Sequence, residues 1–164
     1  MRQALRSRPQ ELYRGTQMTA GKAIEGSFHL TGGDFTNAGA ASSELKSILT
    51  NLGISPAIVR RAAIATFEAE MNVIIHAVAG VMYYQVTADV IKVILNDMGP
   101  GIPDIGLAMQ EGYSTAPDWI REMGWGAGMG LPNMKKNSDE FKVDSVVGEG
   151  TTVEIVIKIK EESP

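Results

Sequence analysis

Residues 55–80 read SPAIVRRAAIATFEAEMNVIIHAVAG, and this stretch decides the fold. Ser55 is of a residue type that caps helix starts, and Pro56 follows at the first helical position, where its missing N–H costs nothing. Val59, Ala63, Phe67, Met71, Ile74 and Val78 then recur at helical spacing as far as Gly80. The spacing predicts one long helix, on which Glu68, Asn72 and His76 lie four apart and share a face. A carboxylate beside an amide is a chemically useful pair. The amide oxygen can ligate Mg²⁺ as a neutral hard ligand, and the carboxylate stays free to orient or deprotonate a hydroxyl. A solvated helix face has the same pattern, so the surroundings must decide.

Upstream, Ala41, Leu45, Ile48, Leu49 and Leu52 predict a helix over 37–52 that Gly53 stops, and Phe28 and Leu30 mark a short strand over 26–33. Downstream, 81–86 and 90–95 read as two strands of a hairpin around Thr87-Ala88-Asp89. Residues 97–103 are a turn, 104–112 a short helix, and 113–128 a long Gly/Trp/Pro segment without a stable period. Residues 130–137 start another helix, and 141–147 and 151–159 alternate as strands. Paired strands and consecutive helices predict an α+β two-layer sandwich, with helices packed on one face of a mixed, mostly antiparallel sheet. This domain is expected over 26–160. Residues 1–25, with Arg2, Arg6, Arg8 and Arg14, read as a flexible basic arm.

Composition excludes several classes. The chain has 164 residues, enough for one core, and no cysteine, which removes disulfide scaffolds, thiolate zinc sites and cysteine nucleophiles. Its two histidines cannot build a histidine-rich metal centre, and a net charge of −4 argues against a nucleic-acid binder with a basic face. The longest apolar run, 73–84, is broken by His76 and Gly80 and falls short of the roughly 20 residues of a membrane span. Residues 1–22 are polar, without a secretory segment, so a cytoplasmic location is expected.

The anomaly is glycine, 18 residues with ten of them between Gly99 and Gly150. No G-x-x-x-x-G-K-[ST] occurs, and Gly99/Gly101 lack the third glycine of a dinucleotide fingerprint. Three separate pieces stand instead: 97–102, 124–131 and 148–152. Asp97 ends an apolar strand, where its carboxylate can accept from an exocyclic amine such as that of adenine, and the glycines let a flat ring approach the backbone. Gly124, Gly126, Gly128 and Gly130 alternate just ahead of a helix, where backbone N–H groups can wrap an anion.

Glu68-x-x-x-Asn72, Asp97-x-Gly99-x-Gly101, the alternating-glycine lid and Gly148-x-Gly150-Thr151, in this order, resemble the N, G1, G2 and G3 boxes of the GHKL (Bergerat-fold) ATPase superfamily. Residues 101–105, 108–115, 130–132, 139–141 and 145–152 are similar to the switch serine/threonine kinases of bacterial stress signalling, relatives of the anti-sigma-factor kinases. The resemblance covers about 26–160 and implies a histidine-kinase-like ATPase fold binding ATP and Mg²⁺.

It implies Glu68 as catalytic base and Asn72 as Mg²⁺ ligand. Asp97 would read the adenine amine, with Gly99 and Gly101 beside the ring. Gly126, Gly128 and Gly130 would cover the triphosphate, and Thr151 would help hold the adenine. Lys135 and Lys136 occupy a basic position in the helix after the lid, where helping to neutralise phosphate and forming a solvated face are equal alternatives. Phe67 and Glu70 flank the base where many relatives have smaller or neutral residues, and the segment 116–125 is longer than in compact members. Only 54 residues precede Ser55, too few for a histidine kinase's dimerisation helices beside the fold's own first elements. The implied activity is therefore phosphoryl transfer to a hydroxyl of a small STAS-domain protein. A PP2C-type phosphatase or a sigma factor is a further implied partner class, a homodimer is allowed for, and neither nucleic acid nor membrane is expected. The alternatives are a non-catalytic, nucleotide-dependent binding module and an ATPase that drives a partner's conformational cycle.

Overall fold

A computed structural model describes residues 21–160. The basic arm expected at 1–25 lies outside the described residues up to position 20, and β1 already begins at Ile24. Strand β1 (Ile24–Thr31) is followed by a 3₁₀ turn at Phe35–Asn37, α1 (Ala40–Asn51) and α2 (Pro56–His76). A hairpin of β2 (Ala79–Val86) and β3 (Val90–Asp97) comes next. Three short helices then lead to the last strands: α3 (Ile105–Ala108), α4 (Asp118–Glu122), α5 (Gly130–Lys136), β4 (Glu140–Val146) and β5 (Gly150–Lys158). The sheet runs β1-β2-β3-β5-β4 with every neighbouring pair antiparallel. Helices α1, α2 and α5 form the second layer, with α2 central and touching β1, β2, β3 and β5.

The inward row of each strand follows from its period of two. Met82, Tyr84 and Val86 on β2, Ile91, Val93 and Leu95 on β3, and Val153, Ile155 and Ile157 on β5 are all buried. They meet Leu45 and Leu49 of α1, Ala65, Ala69 and Val73 of α2, and Met134 of α5. Each fully buried Leu, Ile or Val stabilises the fold by roughly 1.5–3 kcal/mol. The alanine-rich stripe of α2 lets the helix lie close to the sheet.

Three local expectations need correction. Ser55 occupies the N-cap position of α2, but its side chain makes no capping bond; only its carbonyl serves, accepting from the Val59 N–H at 3.0 Å. The helix ends at His76 rather than Gly80, because Ala77 is extended and residues from Ala79 onward pair with β1. Val78, the last residue of the apparent helical stripe, is 75% exposed. Finally, the segment over 113–128 is not without regular structure: α4 forms there, held by Ile120, which is buried.

The N-cap position of α1 is Gly39, a residue without a side chain to cap the helix. The cap comes from α2. Glu70, 1% exposed, accepts from the backbone N–H groups of Gly39 (3.1 Å), Ala41 (3.1 Å) and Ser42 (2.9 Å). A carboxylate against the positive end of a helix, satisfied by three donors, fixes α1 to α2.

Candidate functional site

Glu68, Asn72 and His76, one row of α2, line a cavity of about 570 Å³ together with Asp97, Gly101, Gly126, Gly128, Gly130 and Thr151. Residues expected to converge from four stretches of sequence therefore share one space. Apolar Met71, Leu95 and Val153 contribute to its walls. Gly99 and Lys135 are not among its lining residues. Gly99 serves through its N–H, and Lys135 sits exposed in the last turn of α5.

Asp97 stands at the C-terminal end of β3. Its Oδ1 accepts from the N–H groups of Gly99 at 2.9 Å and Thr151 at 3.1 Å. Its Oδ2 makes no hydrogen bond among the described residues, so one oxygen is fixed and the other remains an acceptor. Burial pushes the Asp97 carboxyl above the usual carboxylate range, while the Thr151 and Gly99 N–H groups and the His76 charge act against this. His76 moves down from its ordinary value because the cavity walls crowd it, with Asp97 opposing, although its ring keeps contact with solvent.

Two residues that the sequence did not single out hold the site together. Asn133 of α5 donates from Nδ2 to Glu68 Oε1 at 3.1 Å and orients that carboxylate. Ser145 of β4 accepts from the Ile102 N–H at 2.7 Å and lies 2.8 Å from the Thr151 hydroxyl, joining the Asp97–Gly101 turn to β5. Gly101 is required by this closeness. At φ +75°, a Cβ there would lie 2.4 Å from the Val146 carbonyl oxygen.

The segment over the cavity is stitched to itself. The Gly112 N–H donates to the Gly128 carbonyl at 2.9 Å, and the Ser114 hydroxyl donates to the Gly126 carbonyl. A Cβ on Gly128, at φ +78°, would meet the Gly112 carbonyl carbon at 2.4 Å. Trp125 stacks on Phe35 at 5.4 Å and 11°, while Trp119 meets the same ring edge-on at 5.5 Å and 71°. The lid thus leans on the 3₁₀ turn after β1. Where α5 begins, a Cβ on Gly130 would fall 3.2 Å from Asn72 Oδ1 and 3.6 Å from Glu68 Oε2, so a side chain there would crowd the Asn72 amide.

Among the described residues no group of three His, Cys, Asp or Glu could hold a metal by itself. The donor set suits a hard cation that takes one neutral oxygen from Asn72 and most of its ligands from phosphate and water, which is the habit of Mg²⁺. Among the same residues no helix is long and apolar enough to cross a membrane.

The geometry agrees with what the chain is similar to. It is 34% identical over 115 residues to the serine/threonine-protein kinase RsbT of Bacillus subtilis, covering 68% of this chain and 80% of that protein. It is 39% identical over 93 residues to the anti-sigma F factor of Priestia megaterium, covering 52% of this chain and 60% of that one. The crystal structure of the RsbU and RsbW domains of Rv1364c from Mycobacterium tuberculosis superposes with a TM-score of 0.54 at 15% identity, over 84% of this chain and 34% of that one, which supports the fold alone. Residues 33–157 match the family described as the histidine kinase-like ATPase domain, and the chain belongs to that family.

Proposed function

We propose that this protein is an ATP- and Mg²⁺-dependent serine/threonine kinase that phosphorylates a small STAS-domain regulator. The observation that carries this reading is the convergence of Glu68, Asn72 and Asp97 on one cavity beneath the glycine lid. Asp97 Oδ2 accepts from the adenine amine, with Thr151 alongside. Gly101 keeps the turn close enough for the ring to lie flat on it. Asn72 supplies the protein oxygen for Mg²⁺, which when bound neutralises charge on the phosphate oxygens. Glu68, oriented by Asn133, takes the proton from the partner's hydroxyl as its oxygen bonds to the γ-phosphorus and ADP departs. Lys135, exposed on α5 and outside the cavity lining, contributes long-range attraction for phosphate rather than a fixed contact.

The relatives' names favour one second reading, nucleotide-controlled capture of a sigma factor. Glu70, the second acid beside the base, does not bear on that choice, because its three backbone bonds give it a structural task. The test uses the full chain, labelled ATP and purified STAS-domain proteins of the source organism. Label is expected on a Ser or Thr of the partner. Glu68→Gln should bind ATP normally and lose about 10²- to 10⁴-fold in transfer. An equally active Glu68→Gln protein would remove the assigned base, and partner binding without any transfer would favour capture.

A further inference from the structure

A second depression, of about 640 Å³, runs between the end of α1 and the first half of α2 and finishes at Phe67 and Glu68, which also line the nucleotide cavity. Its floor is apolar, built from Ile54, Val59, Ala63 and Ile64, and its rim carries Lys46 and Arg60. On the other flank of the same turn of α2, a basic hollow holds Arg60, Arg61 and Lys136 and reaches Asn133, the residue bonded to Glu68. Arg61 is engaged by Asp139 at 3.1 Å, whereas Lys46, Arg60 and Lys136 are exposed and make no ion pair among the described residues. Cations that make no ion pair among the described residues therefore flank the approach to Glu68 in a chain whose net charge is −4.

Resting on the kinase reading above, we propose that this groove is the docking site for the phosphoacceptor protein. The occupant is a segment with an apolar side chain for the floor and carboxylates for Lys46 and Arg60. Charge selects this occupant over the alternatives. Residues 1–20 of the chain itself carry Arg2, Arg6, Arg8 and Arg14 against Glu11 alone, and would be repelled. A second copy seated groove against groove would set two cationic rims against one another. Only an acidic partner gains on both counts, and one seated here lies next to the carboxylate that accepts the hydroxyl proton.

The experiment measures transfer to the STAS-domain protein that the wild type labels, as a function of partner concentration. Lys46→Glu combined with Arg60→Glu should raise the KM for the partner about tenfold or more, with kcat at saturation held within about twofold and ATP affinity unchanged. Lys46→Arg with Arg60→Lys should keep the wild-type KM. The wild type's own KM should rise with salt, a reading that needs no variant. A salt-independent KM, or an unchanged KM in the double reversal, overturns the docking site and leaves the kinase reading standing. If the wild type labels no STAS-domain protein, both fall together.

Discussion

Glu70 offers the sharpest quantitative test of the structure. Glu70→Ala strands the N–H groups of Gly39, Ala41 and Ser42 at the start of α1. An orphaned buried donor costs about 1–3 kcal/mol, and the contacts to Ala41 and Ser42 are buried while that to Gly39 is partly so, which lets water recover some of the loss. The expected destabilisation is about 3–5 kcal/mol, a large share of the roughly 5–15 kcal/mol that holds a domain together. Glu70→Gln should cost less, about 1–3 kcal/mol. Its remaining oxygen can still serve Gly39 and Ala41, but its amide presents a donor to the Ser42 N–H. Urea unfolding followed by circular dichroism gives all three stabilities on one scale. If Glu70→Ala falls within about 1 kcal/mol of the wild type, or the glutamine variant proves the worse of the two, the cap does not hold α1 in the way described.

Asp97→Asn should weaken ATP binding in calorimetry while sparing the fold; unchanged affinity would contradict the role of Asp97. Because burial raises the Asp97 pKa, the native state holds that proton more tightly than the unfolded chain, so its contribution is favourable at low pH and is lost as pH rises through the native value. Asparagine should therefore gain stability relative to the wild type as pH rises from the ordinary carboxylate value, about 4, through the higher native value, and a flat or opposite trend would refute the assignment. Gly128→Ala combines a positive φ with a Cβ 2.4 Å from the Gly112 carbonyl carbon; strain of about 1–3 kcal/mol should open the lid and lower ATP affinity about tenfold, as read by the same titration.

How far the sequence could be read follows from where each signal lies. The two-layer architecture was legible because α2 and the alternating strands carry their periods locally. The end of α2 was not, because Val78 continues the helical spacing while the pairing of Ala79 with Thr31 takes the chain away. Helix α4 was hidden by its five residues and by the glycines after it. At the candidate site, the gathering of Glu68, Asn72, Asp97 and the lid glycines around one cavity was legible from the order of the four motifs that carry the family resemblance, each of them weak alone. Asn133 and Ser145 did not, since each acts across tens of residues on a partner chosen by the fold. Glu70 left a trace that could have been followed. It lies four residues from both Thr66 and Ile74, on the buried stripe of α2, and an acid in such a row must find donors somewhere.

The chain has two tryptophans, Trp119 and Trp125, and both ride on the lid against the same phenylalanine. Every indole signal from this protein thus originates in the one segment expected to respond to nucleotide. Intrinsic emission is a built-in gauge of that segment, and ligand uptake can be followed on the unlabelled, unmutated chain.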